Sequence, residues 1–139
     1  MKKNFFSFVF LLFFVLIIPD KSNSYSSNPK EFISDIVDEA KKILIETNSK
    51  EFKTKKLSEM ALKVVDIKGI GFYSLGSYRK DLSDEQLKEY MKLFEKYFLK
   101  SFTSRLTDYS DPKISVLSSE KLNEKYTIVK TMLLKTDKK

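Results

Sequence analysis

The sequence predicts an α+β domain: amphipathic helices in the N-terminal two-thirds, packed on a curled antiparallel sheet of which only the first strands are present. Two observations carry this. Apolar residues recur at three- and four-residue spacing from Pro29 to about Tyr109, and after Pro112 the pattern changes to alternating or continuous Val, Ile, Thr and Tyr. A third bounds it, because 139 residues leave room for one ordinary domain.

The first 24 residues, "MKKNFFSFVFLLFFVLIIPDKSNS", are set apart from the fold. Lys2 and Lys3 precede an apolar run from Phe5 to Ile18, then Pro19 and the small residues Ser22 and Ser24, which is the form of a cleaved export signal. The run is short for a membrane span, which needs about 20 apolar residues. The expected domain is residues 25–139. Losing Lys2, Lys3, Lys21 and Asp20 would take the formal charge from +7 to +5. Lys and Glu are interspersed along helical segments, so the surplus reads as a solvated basic surface, and no nucleic-acid partner is expected.

In chain order, Asn28 and Pro29 suit the cap and first turn of a helix whose apolar side is Phe32, Ile33, Ile36, Val37, Ala40, Ile43 and Leu44. "ETNSKEF" breaks it, and a second helix carries Phe52, Leu57, Met60, Ala61, Val64 and Val65 on one side. Then Gly69, Gly71 and Gly76 fall within eight residues, a concentration that marks positive-φ turns or close backbone approach. Gly-x-Gly alone is a weak phosphate-loop signal, with no third glycine in register and no Gly-Lys-Ser/Thr. Ser83 with Gln86 has the form of a capping box, and Asp84 and Glu85 complement the helix terminus. The third and longest helix follows, with a stripe of Leu87, Met91, Phe94, Phe98, Phe102 and Leu106 flanked by Tyr90 and Tyr97. "KISVLSS" and "KYTIVKTMLLKT" read as a hairpin joined through "SEKLNE", and Asp137-Lys138-Lys139 as a turn toward a further strand.

Chemistry is narrowed by what is missing. The chain has no Cys, His or Trp, which removes disulfides, thiolate and imidazole metal sites and His-assisted nucleophiles. The carboxylates at Asp35, Asp38, Glu39, Asp84 and Glu85 lie at polar helix positions near lysines and read as solvated faces and caps. No catalytic residue, metal or cofactor is expected.

The segment "VDIKGIGFYSLGSYRKDLSDEQLKEYMKLFEKYFLKSFTSRLTDY" resembles the core of the MlaC, or toluene-tolerance, family of periplasmic phospholipid carriers of Gram-negative bacteria. The shared pattern is an Asp before Leu-Gly-x-aromatic-basic, then Ser/Thr-x-x-Gln, then an aromatic helix ending Leu-x-x-Tyr. Here it falls on Asp66, Leu75, Gly76, Tyr78, Arg79, Ser83, Gln86, Phe94, Leu106 and Tyr109, and the similarity extends over about residues 29–135. Two departures stand out: Ser77-Tyr78-Arg79 replaces two aromatics before the basic residue, and the family's later strands and Gly-Val-Ser segment have no counterpart, as if this were the N-terminal part of such a protein.

The resemblance implies a soluble periplasmic carrier, the substrate-binding component of an ABC-type lipid transport system that maintains outer-membrane asymmetry. Its partners would be phospholipid, an inner-membrane ABC lipid transporter complex and an outer-membrane lipoprotein complex, with the carrier itself a monomer. Phe72, Leu75, Tyr78, Phe94, Phe98, Phe102, Ile128 and Met132 are then the expected apolar wall, and Arg79, with Lys80 beside it, the expected contact to a head-group phosphate. The alternative is a non-catalytic periplasmic interaction or structural protein, or a non-functional fragment of a carrier.

Overall fold

The structure, a computed structural model, describes residues 25–134; the expected export signal and the closing Asp137-Lys138-Lys139 turn lie outside them. Its elements are α1 (Pro29–Ile45), α2 (Lys50–Val64), α3 (Ile67–Leu75), a 3-10 turn (Gly76–Lys80), α4 (Asp84–Leu106), β1 (Lys113–Lys121) and β2 (Thr127–Leu134). The class is α+β, as the sequence predicts.

The helix starts are fixed by side chains that satisfy amide donors left free in a first turn. The Asn28 side chain accepts from the amides of Lys30 and Glu31, at 3.0 and 3.3 Å, with Pro29 in the first turn. Ser49 Oγ accepts from Phe52 N at 3.2 Å and starts α2. At α4 the capping box is complete: Gln86 N donates to Ser83 Oγ at 3.3 Å and Ser83 N to Gln86 Oε1 at 2.9 Å.

One expectation is corrected. Gly69 and Gly71 lie within a helix, α3, so the described residues form four α-helices where the sequence suggested three; the close backbone approach that the glycines signal is present at Gly71 and the positive-φ turn at Gly76. Asp66 caps α3 by accepting from Gly69 N at 2.9 Å. Two glycines in a helix cost about 1 kcal/mol each relative to Ala, and close packing at Gly71 offsets that penalty. Among the described residues only Gly76 has a positive φ, 55°, and it ends α3. The second helix differs in detail, since Phe52 is exposed with the Lys56 ammonium 5.8 Å from its ring centroid, while Leu57, Met60 and Ala61 are buried.

The core lies where α1, α2 and α4 meet. Ala40, Leu44, Leu57 and Met60 form it, Leu44 and Leu57 being 1% and 0% exposed, with Ile36, Ile43, Phe102 and Leu106 packed around them. Buried Thr103 keeps its hydroxyl satisfied by donating to the Leu99 carbonyl at 2.8 Å. The Lys53 ammonium donates to the Leu44 carbonyl, tying α2 to the end of α1.

β1 and β2 form a two-stranded antiparallel sheet with a bulge at Leu117, between the Val116–Thr131 and Ser118–Lys130 pairs. Asn123 Oδ1 accepts from the amides of Lys125 and Tyr126 and shapes the turn. The sheet docks on α1, toward which the half-buried Ile114, Val116, Thr127 and Val129 alternate. The Lys41 ammonium donates to the Ile114 carbonyl at 2.9 Å across that junction.

Leu57→Ala should lower stability by roughly 2–5 kcal/mol, the range for emptying a filled core site, and Ser83→Ala by about 1 kcal/mol through loss of a cap. Equilibrium urea unfolding measures both. A Leu57→Ala loss no larger than that of Ser83→Ala would place the cooperative core elsewhere.

Candidate functional site

A ladder of rings runs along α4. Tyr90, Phe94, Phe98 and Phe102 stand four residues apart, and a helix places such residues on neighbouring turns of one side. Successive ring centroids are 5.8, 6.4 and 6.0 Å apart, with interplanar angles of 29°, 30° and 9°, so the rings are stacked. All four are half-buried.

Each end of the ladder is anchored. At the N-terminal end α3 approaches α4 at Gly71, where an added Cβ would stand 2.8 Å from Met91 Cε and 3.0 Å from the Phe94 ring. The Tyr90 hydroxyl donates to the Gly71 carbonyl at 3.3 Å across the same contact. At the C-terminal end Phe102 packs against the core cluster. Phe98 lies between, stacked on both neighbours.

The expected site residues fall into two groups. Phe94, Phe98 and Phe102 are together on the ladder, and α3, which packs on α4, carries half-buried Phe72 and Leu75 one turn apart. The Lys68 ammonium lies 5.8 Å from the Phe72 ring centroid. Ile128 and Met132 belong to the sheet, which docks mainly on α1; they alternate with the half-buried positions and are 44% and 42% exposed, paired across the hairpin with Glu120 and Ser115. Tyr78 and Arg79 lie in the exposed 3-10 turn between α3 and α4, Tyr78 being 74% exposed. Arg79 has no ion-pair partner among the described residues.

Sequence reasoning placed Tyr90 only at the edge of the stripe, whereas it is the first rung and the polar link to α3. Its spacing of four from Phe94 was the available signal. Tyr25 was not singled out at all. Its ring meets Phe32 edge-on at 5.5 Å, and its hydroxyl donates to Glu39 Oε2, fastening the chain before α1 along that helix. Burial, and then the hydrogen bond to Glu39 with the charges of Glu39 and Asp35, pushes the Tyr25 phenol up to about 12. Glu85, at the α4 N-terminus, is held below the usual carboxylate range by its own backbone N–H and by Ser83. No group of three or more potential ligands that could hold a metal ion occurs among the described residues.

A layer of helices carrying a stacked aromatic surface defines an α+β protein whose candidate site is apolar. The chain belongs to the MlaC family: the family model described as MlaC protein matches residues 30–139. This is a family of periplasmic lipid-binding carriers, not of enzymes. No curated protein and no solved structure matches the chain.

Two predictions test this geometry. Gly71→Val should destabilise the protein by about 1–3 kcal/mol, as overpacking does, and should raise amide hydrogen exchange across residues 67–75; unchanged exchange there would mean that α3 does not depend on close approach to α4. For Tyr25, a folded-state pKa above the ordinary 10 contributes stability that is full below pH 10 and is lost as pH rises toward 12. Tyrosinate absorbance should therefore show one of the seven tyrosines ionising last, and Tyr25→Phe should remove that step.

Proposed function

We propose that the protein is a periplasmic phospholipid carrier whose acyl-chain surface is the aromatic ladder of α4 together with the apolar face of α3. The observation that carries this reading is the stacked, half-buried run Phe94, Phe98 and Phe102 in a chain of the MlaC family.

Each methylene kept from water is worth about 0.8 kcal/mol, so two acyl chains do not leave a bilayer for water at a useful rate unless an apolar surface receives them. Stacked rings supply such a surface with little side-chain entropy left to lose, because each ring is already held by its neighbours. Phe72 and Leu75 extend the surface from α3. Ile128 and Met132 contribute an apolar strip of the sheet, reached by the lipid on a side that α1 leaves open.

Arg79 and Tyr78, exposed in the turn at the end of α3, suit the boundary between acyl chains and head group. A free guanidinium forms paired, charge-assisted hydrogen bonds with phosphate oxygens, and a tyrosine places its ring on the apolar side and its hydroxyl on the polar one. The carrier would be exported through the segment at residues 1–24 and would serve an ABC-type system, exchanging lipid with an inner-membrane transporter complex and an outer-membrane lipoprotein complex.

The test is mass spectrometry of an organic extract of the protein purified from a bacterial periplasm without detergent. Stoichiometric phospholipid is expected, and Phe98→Asp should remove it while far-ultraviolet circular dichroism stays unchanged. A folded Phe98→Asp protein that still carries lipid would show that the ladder is not the wall. Folded wild-type protein without lipid would favour a periplasmic interaction protein.

A further inference from the structure

The two ends of the α4 ladder differ in chemistry. Tyr90, the first rung, carries a hydroxyl bonded to the Gly71 carbonyl, and from that contact α3 leads into the 3-10 turn with Tyr78, Arg79 and Lys80. Phe102, the last rung, packs against the cluster of Ala40, Leu44, Leu57 and Met60, and Leu106 packs there on the next turn. Leu44 and Leu57 are closed to solvent, so nothing passes between Phe102 and the core without displacing packed side chains. Both ends are made by described residues, whatever covers the open side of the ladder.

We propose that the ladder is a ruler for acyl chains: one chain lies along it with its ester near Tyr90 and its methyl end near Phe102, and Phe102 sets the longest chain accepted. Three ring steps carry the wall about 18 Å from Tyr90 to Phe102. The hydrocarbon core of a bilayer is about 30 Å thick, so the chains of one leaflet reach about 15 Å. An ordinary membrane chain is therefore covered along its whole length, and a substantially longer one is not. Its surplus methylenes must stay in water or displace the core, and both are unfavourable.

The direction of the chain follows from the same difference. A charged phosphoester is disfavoured against an apolar core, whereas Arg79 and the Tyr78 hydroxyl offer it hydrogen bonds at the other end. Arg105 lies in the last turn of α4, where its charge complements the negative helix terminus; a head group held there would invert the chain. This inference rests on the carrier reading and extends it to which lipids are carried.

The chain has no tryptophan, so Tyr78→Trp and Phe98→Trp each introduce a single emitter toward one end of the ladder. Each variant is mixed with vesicles of phosphatidylcholine brominated either near the ester or near the methyl end of its chains. Bromine near the ester should quench the Tyr78→Trp variant severalfold more than bromine near the methyl end, and Phe98→Trp should show the converse; the opposite pattern, or equal quenching, overturns the direction. Length is read by mass spectrometry of the lipid retained from vesicles of equal parts dioleoyl and the longer dierucoyl phosphatidylglycerol. Wild-type protein should retain the dioleoyl lipid severalfold in excess, and Phe102→Leu, which moves the stop, should shift the ratio toward dierucoyl more than Phe98→Leu does. Equal retention of the two lipids by wild-type protein, or an equal shift in both variants, overturns the ruler and leaves a carrier. Folded protein that retains neither lipid overturns the carrier reading as well.

Discussion

The fold depends on α1 being buried from two directions. Ala40 and Leu44 face α2 and α4 at the core, while the next residue after Ala40, Lys41, reaches the Ile114 carbonyl of the sheet. A helix buried on two sides needs a broad apolar surface, and α1 has it in Phe32, Ile33, Ile36, Val37, Ala40, Ile43 and Leu44, which are all at least half-buried. With no disulfide to hold helices and sheet together, this one element keeps the two layers in a common fold. The Tyr25–Glu39 bond fastens the preceding chain to the middle of α1, and the Lys53–Leu44 carbonyl bond fastens its C-terminal end to α2.

Much of this was legible in the sequence wherever the cause is local. Asn28-Pro29, and Ser83 through Gln86, satisfy amides within three residues of themselves, so their caps could be read in advance and are present. The hairpin followed from alternation and from the turn residues near Asn123. α3 was missed because its cause is tertiary: glycine weakens a helix locally, and only the approach of Met91 and Phe94 shows why Gly71 belongs in one. Phe52 was missed for the converse reason, since helical spacing allowed it a core place while the packing of α1 and α4 left it outside with Lys56.

The candidate site was legible as a set of residues and not as an arrangement. Spacing put Phe94, Phe98 and Phe102 on neighbouring turns of α4, within reach of one another, and the structure shows them stacked. Which surface faces them does not follow. The alternation of β2 divides Val129 from Ile128 and Met132, but whether α1 or α4 covers a given face is decided by long-range packing. Here α1 covers the face of Val129, and Ile128 and Met132 look the other way.

The spacing of the ladder has a geometric result of its own. Four residues in a helix of 3.6 per turn advance about 40° beyond a full turn, so each ring is rotated from the one before it. From Tyr90 to Phe102 the rotation reaches about 120°. The ladder is therefore a spiral stair: its lowest step looks toward α3 and its highest toward the core beneath α1. One stripe on one helix thereby meets two neighbours, α3 beside Tyr90 and Phe94 and the core of α1 and α2 beside Phe102.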